Sequence, residues 1–321
     1  MRVAVLGGGI SSEHAVSVRS AASVAAGLRE AGHETVEVTI GRDGRWSAEG
    51  DPVSFSPGEG LLGCDLAFPV LHGPGGEDGS VQGLLEVLDI PYAGSGVEAS
   101  AICMDKLVFK DLLARHGVPQ VDYCRAGEDQ WRELASGFGR PVWVKPARLG
   151  SSVGIAPASG EDELDRAVER AQRHDPRVIV EAPAPGKEVE CALLGNDEPV
   201  ASPPGEIVTK GHDWYDYEAK YAEGGMELVV PAEISADATE RLRQLARRVF
   251  VLCGCSGLAR CDFFVDGEEV LVNELNTIPG FTETSVYGRL LEADGISYPE
   301  LCDRLVELGI ERYEQARSYE F

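Results

Sequence analysis

The chain is short of basic residues: 29 Lys and Arg stand against 54 Asp and Glu in 321 residues, a formal net charge of -25. So acidic a surface argues against nucleic acid and anionic membranes as general partners, while leaving room for a locally basic pocket. No run of about 18 apolar residues occurs, so no segment reads as a membrane span. The opening "MRVAVLGGG" has one basic residue and an apolar run too short for a signal-peptide core; it reads as a first strand. CxxC pairs are also missing. The eight cysteines, at 64, 103, 124, 191, 253, 255, 261 and 302, are scattered without clustered histidines. Even "CGCSGLARC" therefore reads as buried reduced thiols rather than a metal site. Free thiols without a secretion signal point to the cytoplasm. Two nucleotide fingerprints are absent. There is no GxxxxGK[ST], and Gly7, Gly8 and Gly9 are contiguous, with Ser12 where a GxGxxG would need its third glycine.

What is present is an ordinary globular composition, 43% hydrophobic and 26% charged, long enough for two or three cores. "RVAVLGGG", a helix from about Ser12 to Ala31, and "HETVEVTI" make a βαβ opening. With "CDLAFPVLHG" and the helix "VQGLLEVLD", they form an N-terminal α/β domain over residues 1–97. A single amphipathic helix is expected over residues 99–117. Strands such as "RPVWVKP" and "RVIVEAP", with one helix, "GEDELDRAVERAQRH", complete a middle domain over 98–185. Residues 186–321 alternate strands with the polar stretch "HDWYDYEAKYAEGG". They continue through the helix "DATERLRQLARRVFVLCG", a hairpin and a C-terminal helix.

Five stretches carry chemistry. In "VLVNELNTIPG", Glu274 and Asn276 lie two apart on one face of a strand. In "ARCDFFV", Arg260 and Asp262 do the same. Taking "DGE" as a three-residue loop sets Arg260 opposite Glu274, with Asp262 diagonal to it. Two carboxylates and an amide oxygen suit Mg²⁺ with substrate phosphates; the same residues also suit an arginine–carboxylate surface cluster. "VWVKPARLGSSVG" delivers Lys145 from a strand into a loop whose backbone N–H groups can cradle phosphate, or which is simply a surface loop. "DYEAKYAEGG" places Lys220 and Tyr221 in a long polar segment, either a lid or an insertion. Glu13, at a helix start, either caps that helix or holds a ligand's ammonium group.

Taken together and in order, "GGISSEHAVSVRS", "LHGPGGEDGSVQGLLE", "MDKLVFK", "VKPARLGSSVG", "YDYEAKY", "ARCDFFV" and "NELNTIPGFTETS" resemble the D-alanine–D-alanine ligases of the ATP-grasp superfamily over nearly the whole chain. The resemblance implies a three-domain α/β ATP-grasp architecture with a Rossmann-like N-terminal domain. ATP would lie between the middle and C-terminal domains. Lys106 and Lys145 would meet its phosphates, Lys220 the γ-phosphate, and Glu181 and Glu188 the adenine and ribose. Asp262, Glu274 and Asn276 would hold two Mg²⁺ (or Mn²⁺) ions, with a monovalent cation such as K⁺ as a further family requirement. Glu13 would bind the first D-alanine and join Ser151 and Tyr221 in a triad that ties down a lid over about 209–226. Arg260 and the Gly280 N–H would stabilise the oxyanion, Ser285 would hold the second D-alanine, and His72 would lie near both. A homodimer is the family's usual assembly. The chain departs from its relatives at Ala182 in the adenine hinge, so that hinge contacts should be mostly backbone, and at Gly288 and Gly75, neither of which removes a catalytic group. Retention of Tyr221 favours D-alanine over D-lactate as acceptor. D-serine or another D-amino acid remains an alternative acceptor. A non-catalytic nucleotide-binding protein would have lost a metal ligand or Lys220, and a Rossmann oxidoreductase would need the glycine fingerprint that is missing.

Overall fold

A computed structural model describes residues 1–209 and 226–320. It opens with strand β1 (Arg2–Gly8), helix α1 (His14–Glu30) and strands β2 (Glu34–Ile40), β3 (Trp46–Ala48), β4 (Asp51–Pro52) and β5 (Leu66–Pro69). These form one sheet in the order β4-β3-β2-β1-β5, with β1 parallel to both β2 and β5. A parallel strand is covered on both faces and needs no polar alternation. Accordingly Val3 and Val5 pack towards Val24 and Leu28 of α1, while Ala4 and Leu6 join the core beneath helix α2 (Ser80–Leu88). β1 ends at Gly8, where φ is +99° and a Cβ would stand 2.2 Å from the Ile40 carbonyl oxygen. Only glycine fits this turn, which hands the chain to α1.

Residues 99–117 do not form one helix. They belong to α3 (Val97–Met104) and α4 (Lys106–Arg115), broken at Asp105. Asp105 is extended, and its Oδ1 accepts hydrogen bonds from the Leu107 and Val108 N–H groups, which makes it the N-cap of α4. Its other oxygen pairs with Arg177.

The second sheet is antiparallel, in the order β6-β9-β7-β8: β6 (Tyr123–Arg125), β9 (Val178–Glu181), β7 (Val142–Pro146) and β8 (Ala156–Ala158). Two helices back it, α5 (Trp131–Gly137) and α6 (Glu161–Gln172), where the sequence predicts one. In α5 only Ala135 is fully buried, too little for a helical period to stand out. Val142, Val144, Val178 and Val180 pack on the helices; the alternate residues Trp143, Lys145 and Glu181 emerge on the other face.

The third sheet contains β10 (Lys187–Gly195), β11 (Val200–Ala201), β12 (Gly205–Thr209), β13 (Met226–Val229), β14 (Gly257–Asp266) and β15 (Glu269–Asn276). Its order is β13-β12-β10-β14-β15, with β11 paired to β10. Helix α7 (Ala236–Leu252) covers one face through Leu242, Val249 and Phe250, against Val189, Cys191 and Phe263. The opposite face looks towards the second sheet. The β14–β15 turn has two residues between its last pair, Asp266 and Glu269, rather than three. The register then slips by one between Asp262 and Phe263. The outcome differs from the expected pairing: Asp262 lies opposite Glu274, and Arg260 opposite Asn276. The irregularity absorbs Asn273, so that Val272 and Leu275 both stay buried while Glu274 and Asn276 share the face of Asp262.

The chain ends in α8 (Val286–Ala293) and α9 (Tyr298–Arg317). Both return to the first sheet. Leu290, Leu301, Leu305 and Val306 pack with Val3, Val5 and Leu66, and Phe281 bridges Phe68 and Tyr287. The C-terminal segment thus completes the N-terminal core. Among the described residues no helix is long and apolar enough to cross a membrane.

Candidate active site

The facing surfaces of the second and third sheets enclose a cleft of about 510 Å³. Its polar lining includes Lys106, Lys145, Glu181, Glu188, Asp262 and Glu274. The six come from different parts of the chain; strand alternation turns five of them towards the cleft, and Lys106 enters it from the start of α4. Lys106 opens α4 immediately after the Asp105 cap. Its backbone N–H bonds to Ala147 O at 2.9 Å, and its Nζ donates to Leu149 O at 3.0 Å and stands 3.6 Å from Glu274.

Glu181 sits between two ammonium groups. One oxygen is 2.5 Å from Lys145 Nζ and the other 3.2 Å from Lys110 Nζ, and the carboxylate is 3% exposed. Burial alone would raise its pKa; the two lysines more than offset this and hold it down at about 2. Burial works to lower Lys145, but Glu181 and Glu274 outweigh it, so its pKa is raised. Lys110 was not singled out by sequence, although it lies four residues beyond Lys106 in "MDKLVFK" and therefore on the same side of α4.

On the third sheet Arg260 donates from Nε and Nη2 to the two Asp262 oxygens, each at 2.7 Å, and lies 2.9 Å from Glu190. Asn276 donates from Nδ2 to Asp262 at 3.0 Å. Glu190 was also missed by sequence. Its signal is alternation, since "KEVEC" puts it on the face of Glu188. Among the described residues no group of three or more His, Cys, Asp or Glu is arranged to hold a metal ion. The donor set here is a different one, two opposed carboxylates and a carboxamide in a cleft that Lys106 and Lys145 also line. It suits a hard cation that takes its remaining ligands from water and phosphate.

At the end of the cleft the second-sheet loop reaches the first domain. The Ser151 hydroxyl donates to Glu13, which is 8% exposed, and the N–H of Glu13 bonds to Ser11 Oγ at 3.2 Å. Ser151 and Ser152 hold φ of 54° and 57°, a left-handed conformation that side chains disfavour and that clusters at binding loops. His72, buried beside them, has Nδ1 3.0 Å from Ile278 O and Nε2 3.2 Å from Ser20 Oγ. Since a carbonyl only accepts, Nδ1 carries the proton and Nε2 accepts from the serine. Burial lowers the imidazole's pKa and keeps it neutral, against the pull of Glu13. Glu77 accepts from Gly73 N at 2.6 Å; burial and the neighbouring Glu13 push its pKa up to about 8. Ser285 precedes α8, and its hydroxyl donates to Thr282 O at 2.7 Å. Gly280 lies nearby, with Ser285 Cβ 3.8 Å from where its own Cβ would be. Lys220, Tyr221 and nearly all of the expected lid lie outside the described residues.

The chain matches the family models of the D-Ala D-Ala ligase N-terminus, over residues 2–60 and 53–95, and C-terminus, over 112–307. A D-alanine–D-alanine ligase of Deinococcus radiodurans is 46% identical over 97% of this chain and 98% of its own length. That of Solibacter usitatus is 43% identical over 100% of this chain and 99% of its own length. Among solved structures, the D-alanine–D-alanine ligase of Coxiella burnetii superposes with a TM-score of 0.89 at 35% identity, covering 99% of this chain and 96% of that one. VanG, a D-Ala:D-Ser ligase of Enterococcus faecalis, gives 0.87 at 34% identity, over 96% of this chain and 99% of that one. With both halves matched and relatives aligned end to end, the chain belongs to the D-alanine–D-alanine ligase family and has its ATP-grasp fold.

Proposed function

We propose that the chain joins two molecules of D-alanine, using ATP, to make the D-alanyl-D-alanine unit of peptidoglycan. The observation that carries this is the cleft itself, about 510 Å³, whose lining brings Lys106 and Lys145 together with Asp262 and Glu274. Asp262, Glu274 and Asn276 would hold two Mg²⁺ or Mn²⁺ ions, which when bound neutralise charge on the phosphates. The carboxylate of the first D-alanine attacks the γ-phosphate of ATP, giving D-alanyl phosphate and ADP. Lys106, Lys145 and Lys220 hold the phosphates in line and offset the charge that spreads over the transferring group. Glu13, oriented by the Ser151 hydroxyl, accepts the ammonium group of the first D-alanine. The amine of the second D-alanine, its carboxylate near Ser285, then attacks the acyl carbon, and phosphate leaves. Arg260 and the Gly280 N–H would meet the oxyanion, with Asp262 and Glu190 fixing the guanidinium. His72 lies beside Glu13 as a neutral group. Tyr221 would close the lid on Glu13 and Ser151, excluding water that would hydrolyse the acyl phosphate. Glu188 lines the nucleotide cleft.

In this reading residues 1–97 supply the first D-alanine subsite, 98–185 and 186–321 the two ATP-grasping halves. The enzyme works in the cytoplasm as a homodimer, with a monovalent cation such as K⁺ as a further requirement. A second reading, D-alanine joined to D-serine, draws support from the similarity to VanG; Tyr221 speaks against D-lactate only. Phosphate release from ATP and Mg²⁺ decides between them. D-alanine alone is compared with D-alanine plus D-serine, D-alanine plus D-lactate, and L-alanine, with products weighed by mass spectrometry. Release with D-alanine alone, yielding the dipeptide, is expected. Turnover only with a mixed pair would reassign the acceptor, and silence with intact ATP binding would point to a non-catalytic protein.

A further inference from the structure

Lys110 is the most deeply buried lysine of the site, 1% exposed, yet it does not line the cleft. A lysine of this kind is costly unless its charge is compensated. Its compensation is Glu181, 3.2 Å away, and Glu181 is shared: its other oxygen holds Lys145 at 2.5 Å. The three charges sum to one positive. Lys145, 14% exposed, is the most open of the three and lines the cleft together with Glu181. Lys106 cannot take Lys110's place, since its ammonium is engaged by Leu149 O and Glu274.

We propose that Lys110 is a positioning residue for nucleotide binding. By occupying half of Glu181, it keeps that carboxylate from cancelling the charge of Lys145, which faces the nucleotide cleft. Without Lys110 the buried carboxylate would belong to Lys145 alone, and the pair would be neutral towards the cleft. The inference rests on the ATP-binding reading above.

The test is direct binding of ATP with Mg²⁺ by calorimetry, alongside steady-state kinetics, on wild type, Lys110→Met, Glu181→Gln and the double variant. Lys110→Met is expected to weaken ATP binding at least about tenfold. The KM for ATP should rise with it, while the KM for D-alanine stays within about twofold. The double variant frees Lys145 again and should bind ATP clearly more tightly than Lys110→Met alone. A purely structural role for Lys110 predicts no such rescue, and its absence would overturn the proposal. If Lys110→Met does not fold, Lys110→Gln, which keeps a donor for Glu181 without the charge, decides: a loss of ATP affinity of about tenfold or more supports the proposal, and affinity within a few-fold of wild type refutes it. If wild type itself fails to bind ATP, it is the functional reading that falls.

Discussion

Replacing Asp105 by alanine should lower the thermal midpoint by several degrees and weaken ATP binding together. Asp105 does three things at one position. It ends α3, it caps α4 through the Leu107 and Val108 N–H groups, and it pairs with Arg177 at the start of β9. Loss of the cap costs about 1 kcal/mol. Arg177, with its side chain 28% exposed, then keeps a partly buried charge without that carboxylate, costing about 1–3 kcal/mol more. At roughly 2.1 cal/mol/K per residue, the unfolding entropy of 321 residues is about 0.7 kcal/mol/K. A total of about 2–4 kcal/mol thus corresponds to a fall of about 3–6 °C. Because Lys106 is the next residue, the KM for ATP should rise as well. Calorimetric or dichroic melting of Asp105→Ala and Asp105→Asn reads the first effect and kinetics the second. Asparagine keeps the cap and loses the charge, so it should fall between alanine and wild type. A midpoint for Asp105→Ala within about 1 °C of wild type would refute the reasoning.

Glu77 keeps its proton in the folded chain up to about pH 8, while an unfolded carboxyl releases it near 4.5. Its contribution to stability is therefore full below pH 4.5 and lost as the pH rises towards 8. Melting of Glu77→Gln against wild type should show a gain that grows across this window; a difference independent of pH would contradict the assignment. Gly186→Ala sets a Cβ 2.1 Å from Val265 O at φ +87°, and should cost at least about 2 kcal/mol, read as a lower melting midpoint. Gly127→Ala, at φ +92° with nothing within 4 Å, should cost less. Arg260→Lys loses the fork that holds both Asp262 oxygens, and should cut kcat by tenfold or more with KM for ATP little changed. Tyr221→Phe should raise ADP formation without matching dipeptide, as water reaches the acyl phosphate, measured by comparing the two products.

Much of this was legible because local pattern and motif agreed. β1, α1 and β2 follow from apolar periodicity, and β7 delivers Lys145 as its alternation says. What escaped has physical causes. The α3–α4 break is a capping event, and Asp105 within an apolar period is easily read as one more polar position on a continuous helix. The hairpin register turned on Asn273. The adjacent pair Asn273-Glu274 interrupts the alternation of β15, and that doublet is the sequence trace of the irregularity. Lys110 and Glu190 lie one helical turn and one strand period from residues that were identified, but only the packed structure shows which charges they meet. The return of α8 and α9 to the first sheet left no local trace, since it is contact between the two ends of the chain.

That return has a consequence for how the protein is made. Val3, Val5 and Leu66 emerge from the ribosome early, but Leu301, Leu305 and Val306, which cover them, emerge about 240 residues after Leu66. For most of synthesis one face of the first sheet has only α1 to shield it, and the covering contacts are of the longest sequence separation the chain offers. Truncation ahead of Tyr298 would leave that face without Leu301, Leu305 and Val306, only partly covered by α1 and α8, and a chain prone to aggregate, whereas a tag joined after α9, whose last turn is exposed, would leave it covered.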